Sequence, residues 1–175
     1  MQVFLIRHPR PIVGPGICYG RLDVDCHAAT AVANNLRPLL PSGTQVFSSP
    51  LRRARQLAEA LSSKIIIDDR LSEINFGEWE GRRWNDIDRK HLDAWAGDVL
   101  GFTPPGGESV AALQRRALDF AASLKQSDVA IVTHAGVMRP LVGHWRRLPV
   151  AEWSQLPFEF GGLVRLEIEH GVARS

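Results

Sequence analysis

The chain has 175 residues, 45% of them hydrophobic and 23% charged, which is typical of a soluble globular protein with one sizeable core. We therefore expect a single domain over residues 1–175. The net charge of +2 comes without any block of like charge, which argues against a nucleic-acid partner and suits a small anionic ligand. No apolar run is long enough to span a membrane, and no signal segment is visible, so we expect a cytoplasmic protein with no membrane partner.

The sequence predicts neither a metal site nor a cofactor. Cys18 and Cys26 are the only cysteines, and no histidine lies at a spacing from them that is typical of zinc ligands. In the cytoplasm both thiols would stay reduced. The oligomeric state cannot be predicted from this sequence.

The first element in chain order is an apolar run over residues 3–6, which predicts a buried strand. Arg7 and His8 follow it directly, and the prolines at 9 and 11 prevent the strand from continuing. Open α/β sheets bind ligands at the carboxyl ends of their strands. The strand therefore delivers a cation and an imidazole to that edge, although one Arg-His pair alone is a weak signal.

Strands and helices alternate through the rest of the chain. Apolar residues at helical spacing predict helices over 27–40, 49–58, 84–95, 110–124, 135–145 and 149–156. Further strands are predicted over 45–48, over 64–67 as a buried strand, over 128–133, and over 163–168 as an edge strand. The loop over 100–109 is a candidate lid over a site. This order predicts an α/β fold, a three-layer α/β/α sandwich around a mostly parallel sheet.

Two later strand ends also carry residues suited to phosphate binding. Arg53 lies at the start of the helix after the second strand, where Ser49 would be the N-cap and Pro50 the first helical residue. His134 directly follows the fourth strand. Because parallel strands share one carboxyl edge, His8, Arg53 and His134 should converge there. Two imidazoles, arginines and two helix N-termini are suited to a phosphate.

Five short segments stand out together: Leu-Ile-Arg-His at 5–8, Ser-Ser-Pro-Leu-Arg-Arg-Ala at 48–54, Leu-Ser-Glu and Phe-Gly-Glu-Trp-Glu-Gly within 71–81, Gly-Glu-Ser at 107–109, and Val-Thr-His-Ala-Gly-Val at 132–137. In order and spacing they resemble the histidine phosphatase superfamily, whose fold is that of the phosphoglycerate-mutase-like group. The resemblance covers nearly the whole chain. The opening at residues 7–11 and the segment over 18–23 look most like the α-ribazole phosphatase branch, which acts in cobalamin synthesis.

The resemblance implies a role for each matched residue. His8 would be the nucleophile that becomes a phosphohistidine, while Arg7, Arg53 and His134 would hold the phosphoryl oxygens. Glu73 would protonate the leaving oxygen and then activate the attacking water. The chemistry is consistent, because a neutral imidazole can attack phosphorus and guanidinium groups suit phosphoryl oxygens. This mechanism requires no metal.

Two arginines have open roles. The stretch Pro9-Arg10-Pro11 departs from the family pattern, in which the nucleophile is followed by Gly, an acidic or hydroxyl residue and, a few positions on, an Asn. Arg10 could replace those donors, or it could simply be solvated. Arg21 is a candidate for a polar substrate contact, or for a surface ion pair with Asp23 or Asp25.

Aromatic residues near the predicted phosphate site are candidates for selectivity. Tyr19 and Trp79, together with Arg21, are predicted to border the substrate pocket, and the rings could stack on a flat base. Trp84 is expected in the core. These rings favour a nucleotide-like monoester.

The predicted function is therefore that of a phosphomonoesterase on a small phosphate monoester, α-ribazole 5′-phosphate. A broad-specificity sugar-phosphate phosphatase and a protein phosphohistidine phosphatase are the alternatives. A phosphoglycerate mutase is less favoured, because it must shield its phosphoryl group from water and this short chain has little to spare. A non-catalytic phosphate-binding module is also less favoured, since all the site residues are present.

Overall fold

A mixed β-sheet organises residues 1–125, 128–169 and 171–173, the parts of the chain that this computed structural model describes. Its strands are β1 (Gln2–Arg7), β2 (Gln45–Ser48), β3 (Ile65–Ile67), β4 (Asp128–Thr133), β5 (Leu163–Glu169) and β6 (Val172–Ala173). Within these residues the strand order is β3-β2-β4-β1-β5-β6. The first four strands are parallel, β5 pairs with β1 in the antiparallel direction, and β6 pairs with β5 in the antiparallel direction.

Helices cover both faces of the sheet. They are α1 (Ala29–Leu36), α2 (Arg52–Leu61), α3 (Arg89–Gly97), α4 (Val110–Ser123), α5 (Ala135–Arg146) and α6 (Val150–Trp153). One core joins the sheet to α4 and α5, and a second core joins it to α1 and α2. The predicted three-layer α/β/α sandwich with a mostly parallel sheet is confirmed.

The uninterrupted apolar sequence of β1 follows from its central place. Side chains alternate between the two faces of a strand, so Val3 and Leu5 pack in the first core while Phe4 and Ile6 pack in the second. A strand buried on both faces therefore needs a continuous apolar run. Its position between β4 and β5 fixes the residues that follow it.

Two predictions about sheet edges are wrong. β3 pairs only with β2 among the described strands, and its Ile66 and Ile67 are 42% and 43% exposed, so it lies at an edge and is not buried. β5 is paired on both sides, with β1 and with the two-residue β6. The edge position of β3 depends on which distant strands pair, whereas β5 is covered through a short hairpin by the strand that follows it in the chain.

Two other segments differ locally from their predictions. α2 begins at Arg52 and not at the predicted Ser49–Pro50, and the Ser49 hydroxyl instead accepts the Leu51 N–H at 3.2 Å. The predicted helix over 84–95 is a short 3₁₀ turn, Trp84–Asp86, followed by α3. The segment 104–108 packs on residues 75–78, with the Glu78 N–H donating to Pro105 and the Glu108 N–H to Asn75, and a lid over 100–109 stays a prediction.

Within residues 1–125, 128–169 and 171–173, no helix has the length and apolar character that crossing a bilayer requires.

Candidate active site

Three strand ends meet at one edge of the sheet. Arg7 at the end of β1 lies in register with Thr133 at the end of β4, so His8 and His134 follow on adjacent strands. The His8 N–H donates to the Thr133 carbonyl at 3.0 Å, and the centroids of the two imidazole rings are 5.0 Å apart. The Ser49 N–H, just after β2, donates to Val132 of β4 at 3.0 Å. This edge therefore brings together the ends of β1, β2 and β4.

The imidazole of His8 is held in one neutral form. Its ring is buried, and Nδ1 lies 2.6 Å from the Pro9 carbonyl oxygen. Because a carbonyl only accepts hydrogen bonds, Nδ1 carries the proton and Nε2 keeps its lone pair. Burial, followed by the charges of Arg53 and Arg7, lowers the pKa of His8 to about 3. The ring thus presents an unprotonated Nε2 at neutral pH.

The imidazole of His134 is fully buried beside it. Its Nε2 lies 2.8 Å from the Ser49 hydroxyl, and its Nδ1 has no hydrogen-bond partner. Burial is the largest cause that lowers the pKa of His134 well below its usual value, and the charge of Arg53 acts in the same direction. Both rings are therefore neutral, which leaves the positive charge of the site to its arginines.

Two arginines flank these rings and are held by backbone carbonyls. The fully buried Arg53 donates to Leu22 at 2.9 Å and to Gly20 at 2.6 Å. Arg7 donates to Phe158 at 2.7 Å, and its guanidinium carbon lies 3.7 Å from the centroid of the Phe160 ring. Burial lowers the pKa of both side chains, but arginine retains its charge in proteins.

Arg7, Arg53 and His134 each keep one buried side-chain nitrogen without a hydrogen-bond partner. Four buried side-chain polar atoms lack a hydrogen bond in the described residues: Gln2 Oε1, Arg7 Nε, Arg53 Nε and His134 Nδ1. Such atoms are rare in folded proteins, and each needs an explanation. Three of the four belong to the residues that the sequence predicts as phosphate ligands. A phosphoryl group with several acceptor oxygens would satisfy all three.

The carboxylate of Glu73 lies at the N-terminus of α5. Its Oε1 accepts the Ile74 N–H at 2.9 Å and its Oε2 accepts the Gly136 N–H at 3.2 Å. The Glu73 carbonyl accepts a hydrogen bond from Arg116 at 3.1 Å, and Arg116 also pairs with Glu108 at 2.6 Å. The carboxylate is therefore fixed from both sides, and it lines the same cavity as Arg7 and His8.

A cavity of about 510 Å³ is lined by Arg7, His8 and Glu73, whereas the fully buried Arg53 and His134 are not among its lining residues. Arg139, one turn further along α5 than Gly136, contributes a second cation to its wall. Its other walls are largely apolar and combine aliphatic side chains with rings from Tyr19, Phe76, Trp84, Trp95, Trp153 and Phe158. Trp84 and Trp95 stack with an interplanar angle of 8° and centroids 5.9 Å apart. The cavity thus has a cationic end and an apolar end, and the apolar end contains several planar rings.

The predicted pocket residues are not all found at this cavity. Tyr19 lines it, but Trp79 is only 1% exposed and packs among other rings, so its prediction as a pocket residue is wrong. Trp84, expected in the core, lines the cavity instead. Arg21 lies outside the cavity, and its ion pair is with Glu108 at 3.4 Å.

The predicted partners of Arg21 bind a neighbouring arginine. Asp25 pairs with the exposed Arg52 at 2.7 Å, and Asp23 accepts the Arg52 N–H at 2.7 Å. Arg10, in the stretch that departs from the family pattern, is exposed and lies 5.4 Å from the centroid of the Phe160 ring. Arg10 therefore lies close to an aromatic ring that also contacts Arg7.

Several residues at the site were missed from the sequence. Trp95, Trp153 and Phe158 line the cavity, and Phe160 packs on Arg7 and on the ring of His8 at 5.6 Å. Phe158 and Phe160 lie in a segment with no regular periodicity, so no local pattern indicated them. Arg139 follows His134 by five residues, and its place on α5 could have indicated it.

Residues 3–175 match the family described as the histidine phosphatase superfamily, branch 1. The chain belongs to this superfamily, and it is a phosphatase, a hydrolase of phosphate monoesters.

Individual relatives act on different substrates. The adenosylcobalamin/alpha-ribazole phosphatase of Salmonella typhimurium is 30% identical over 99% of this chain and 93% of its own. The glucosyl-3-phosphoglycerate phosphatase of Mycolicibacterium vanbaalenii is 29% identical over 89% of this chain and 78% of its own. Among solved structures, the alpha-ribazole phosphatase from Shigella flexneri matches with a TM-score of 0.88 at 27% identity, covering 99% of this chain and 93% of that one.

Proposed function

We propose that this phosphatase hydrolyses α-ribazole 5′-phosphate through a phosphohistidine at His8, in the synthesis of the nucleotide loop of cobalamin. The observation that carries the catalytic part is the set of three unpartnered buried donor positions beside a neutral imidazole. The aromatic cavity and the similarity to two alpha-ribazole phosphatases support the substrate.

In the first step, Nε2 of His8 attacks phosphorus and the bond from phosphorus to the ribose oxygen breaks. Arg7 and Arg53 donate through their Nε atoms to the phosphoryl oxygens, which carry the charge of the transition state. Glu73, in its protonated form, gives its proton to the departing oxygen. The product is α-ribazole, and the phosphoryl group remains on His8.

His134 contributes through a defined tautomer. The Ser49 oxygen already accepts the Leu51 N–H, so its own proton is available for Nε2 of His134. A neutral ring that accepts at Nε2 carries its proton on Nδ1, the atom without a partner. His134 is then a hydrogen-bond donor to a phosphoryl oxygen without carrying a positive charge.

In the second step, the Glu73 carboxylate takes a proton from water as the water oxygen attacks phosphorus. The bond between phosphorus and Nε2 of His8 breaks, and the electron pair returns to the imidazole. Inorganic phosphate leaves, and Glu73 is again protonated for the next cycle. The Gly136 N–H keeps the carboxylate in one place through both steps.

The shape and polarity of the cavity favour an aromatic leaving group. A benzimidazole base is flat and largely apolar, which matches the stacked Trp84 and Trp95 and the ring of Tyr19. A glucosyl or glyceryl leaving group would need several hydroxyl-binding donors. Beyond the catalytic end, Arg139 and Ser154 line the cavity, and the other hydrogen-bonding groups there, the Tyr19 hydroxyl and the indole N–H groups of Trp84, Trp95 and Trp153, belong to rings that can also stack on a base.

We further propose that the enzyme works in the cytoplasm as a single domain without a metal. Cys18 and Cys26 are both free, which suits a reducing compartment. No group of three or more potential metal ligands occurs in the part of the chain that the structure describes. The three donor groups around His8, two of them guanidinium cations, supply the stabilisation of phosphoryl charge that a metal ion would otherwise give.

The substrate is tested by comparing kcat/KM for α-ribazole 5′-phosphate, 3-phosphoglycerate, a sugar phosphate and a phosphohistidine-containing protein. We expect a clear preference for α-ribazole 5′-phosphate. Trp84→Leu should lower kcat/KM for this compound by about tenfold, the value of one lost aromatic contact, with little effect on 3-phosphoglycerate. A preference for another member of the set would refute the substrate and leave the phosphatase mechanism unaffected.

A further inference from the structure

The carboxylate of Glu80 accepts hydrogen bonds from four backbone N–H groups. Gly20 and Leu22 donate to its Oε2, each at 2.9 Å. Arg21 and Phe76 donate to its Oε1, at 2.8 and 2.9 Å. A carboxylate has about four acceptor positions, so this one is filled by main-chain donors. Glu80 therefore fixes residues 20–22 to the start of the turn at Phe76.

The same loop holds the predicted phosphate ligand from its other side. The carbonyls of Gly20 and Leu22 accept the two terminal guanidinium nitrogens of Arg53, at 2.6 and 2.9 Å. Residues 20–22 thus turn their N–H groups to Glu80 and two of their carbonyls to Arg53. Only Nε of Arg53 is left without a partner.

The loop has little room to adjust. A Cβ at Gly20 would overlap the Ile74 carbonyl oxygen and would lie 2.7 Å from Oε1 of Glu80 and 2.8 Å from the Phe76 ring, closer than real Cβ contacts allow. Residue 20 must therefore be glycine for the backbone to approach these groups. The loop is therefore packed closely against Ile74, Phe76 and Glu80, and Glu80 is the one of the three that binds it through side-chain hydrogen bonds.

We propose that Glu80 is a positioning residue for phosphoryl transfer, which holds loop 20–22 so that its carbonyls orient the Arg53 guanidinium towards the phosphoryl oxygens. This inference rests on the proposed phosphate-binding role of Arg53 and adds the residue that holds the hydrogen-bond partners of Arg53 in place. A guanidinium that is held at both terminal nitrogens needs no reorientation in the transition state. The hydrogen bonds of Glu80 thus affect the rate only through the orientation of Arg53.

Glu80→Gln is the direct test. The amide NH₂ would face two of the four N–H groups, because glutamine has only one acceptor oxygen. We expect kcat/KM to fall by about tenfold, less than the loss of about 10²–10³ that removal of a donor itself causes. Inhibition by orthovanadate, a mimic of pentacoordinate phosphorus, should weaken in parallel. Glu78→Gln is the matched control, because Glu78 is exposed and lies in the same turn.

A double-mutant cycle separates positioning through Arg53 from a general structural role. In an Arg53→Ala background, Glu80→Gln should lower kcat/KM by less than about twofold, because directly coupled residues give non-additive effects. If the factors by which the two single substitutions lower kcat/KM multiply in the double variant, the inference is overturned. Wild-type kcat/KM in Arg53→Ala alone would instead refute the role of Arg53, and with it this inference.

Folding is monitored in the same series. If Glu80→Gln unfolds, Glu80→Asp replaces it, since that variant keeps both acceptor oxygens on a side chain shorter by one methylene. We expect a smaller loss of kcat/KM that again disappears in the Arg53→Ala background. A loss that persists there would overturn the inference.

Discussion

Gly136→Ala offers a test of Glu73 that leaves the carboxylate itself unchanged. A Cβ at position 136 would lie 2.9 Å from the carboxyl carbon of Glu73 and would overlap its Oε1. Carbon atoms pack at about 3.5–4.0 Å, so the carboxylate must move by about 1 Å. That movement also breaks the 3.2 Å hydrogen bond from the Gly136 N–H. A displacement of about 1 Å at a reacting group lowers the rate by about 10²-fold.

The fold should tolerate this substitution. Gly136 lies inside α5 without a positive φ, and alanine in a helix is more favourable than glycine by about 0.5–1 kcal/mol. We therefore expect kcat for α-ribazole 5′-phosphate to fall about 10²-fold while the midpoint of thermal unfolding changes little. Gly97→Ala is the control, because a Cβ there would meet nothing within 4 Å.

The assay is steady-state release of inorganic phosphate, measured in wild-type and Glu73→Gln backgrounds. If the new methyl acts through the carboxylate, Gly136→Ala should add little to the loss already caused by Glu73→Gln. Wild-type kcat in the single variant would refute the proposed role of Glu73. A large loss that is the same in both backgrounds would show that the methyl obstructs the substrate directly.

Three other predictions concern charge, protonation and thiols. Burial and the charge of Arg53 hold the pKa of His8 at about 3 in the folded protein. The unfolded value is about 6.5, so the folded state binds fewer protons and the free energy of unfolding decreases as the pH falls from about 6.5 towards 3. In urea titrations, the free energy of unfolding of His8→Asn should decrease between pH 7 and pH 4 by up to about 3 kcal/mol less than that of the wild type. An equal decrease in the two proteins would contradict this. Arg53→Ala should lower kcat by about 10²–10³, whereas Arg52→Ala, which removes an exposed ion pair with an aspartate, should have little effect; equal losses would be inconsistent with the site geometry. EDTA and iodoacetamide should leave the rate unchanged, since burial raises the pKa of Cys18 to about 12 and that of Cys26 in the same direction; inactivation by either reagent would reveal a metal or thiol that the mechanism omits.

Local sequence patterns predicted the centre of the fold well. The apolar run of β1 and the amphipathic pattern of α4 lie in continuous segments, and each pattern follows from the faces that those segments bury. The assignment of β3 was wrong for the opposite reason. Ile66 and Ile67 resemble a buried strand, but their burial depends on whether another strand pairs beyond β3, which the local sequence does not encode.

The candidate site shows the same division. Strand ends placed His8 and His134 correctly on adjacent strands, because parallel strands share a carboxyl edge. The sequence did not show which of the tryptophans faces the cavity and which is buried in the core. Trp79 and Trp84 lie five residues apart in one aromatic cluster, and the packing of α3 against that cluster decides which ring faces the cavity. Their positions depend on contacts between separate segments.

The identity of the phosphorylated atom tests the central claim most directly. The protein is mixed with a phosphomonoester, quenched in alkali, digested and analysed by mass spectrometry and phosphorus NMR. Because Nδ1 of His8 donates to Pro9 at 2.6 Å, we predict an acid-labile, alkali-stable phosphoryl group on Nε2 of His8, and none in His8→Ala. A phosphoryl group on His134, on Nδ1 of His8 or on an acid-stable residue would contradict the mechanism. Substantial turnover by His8→Ala would contradict it as well.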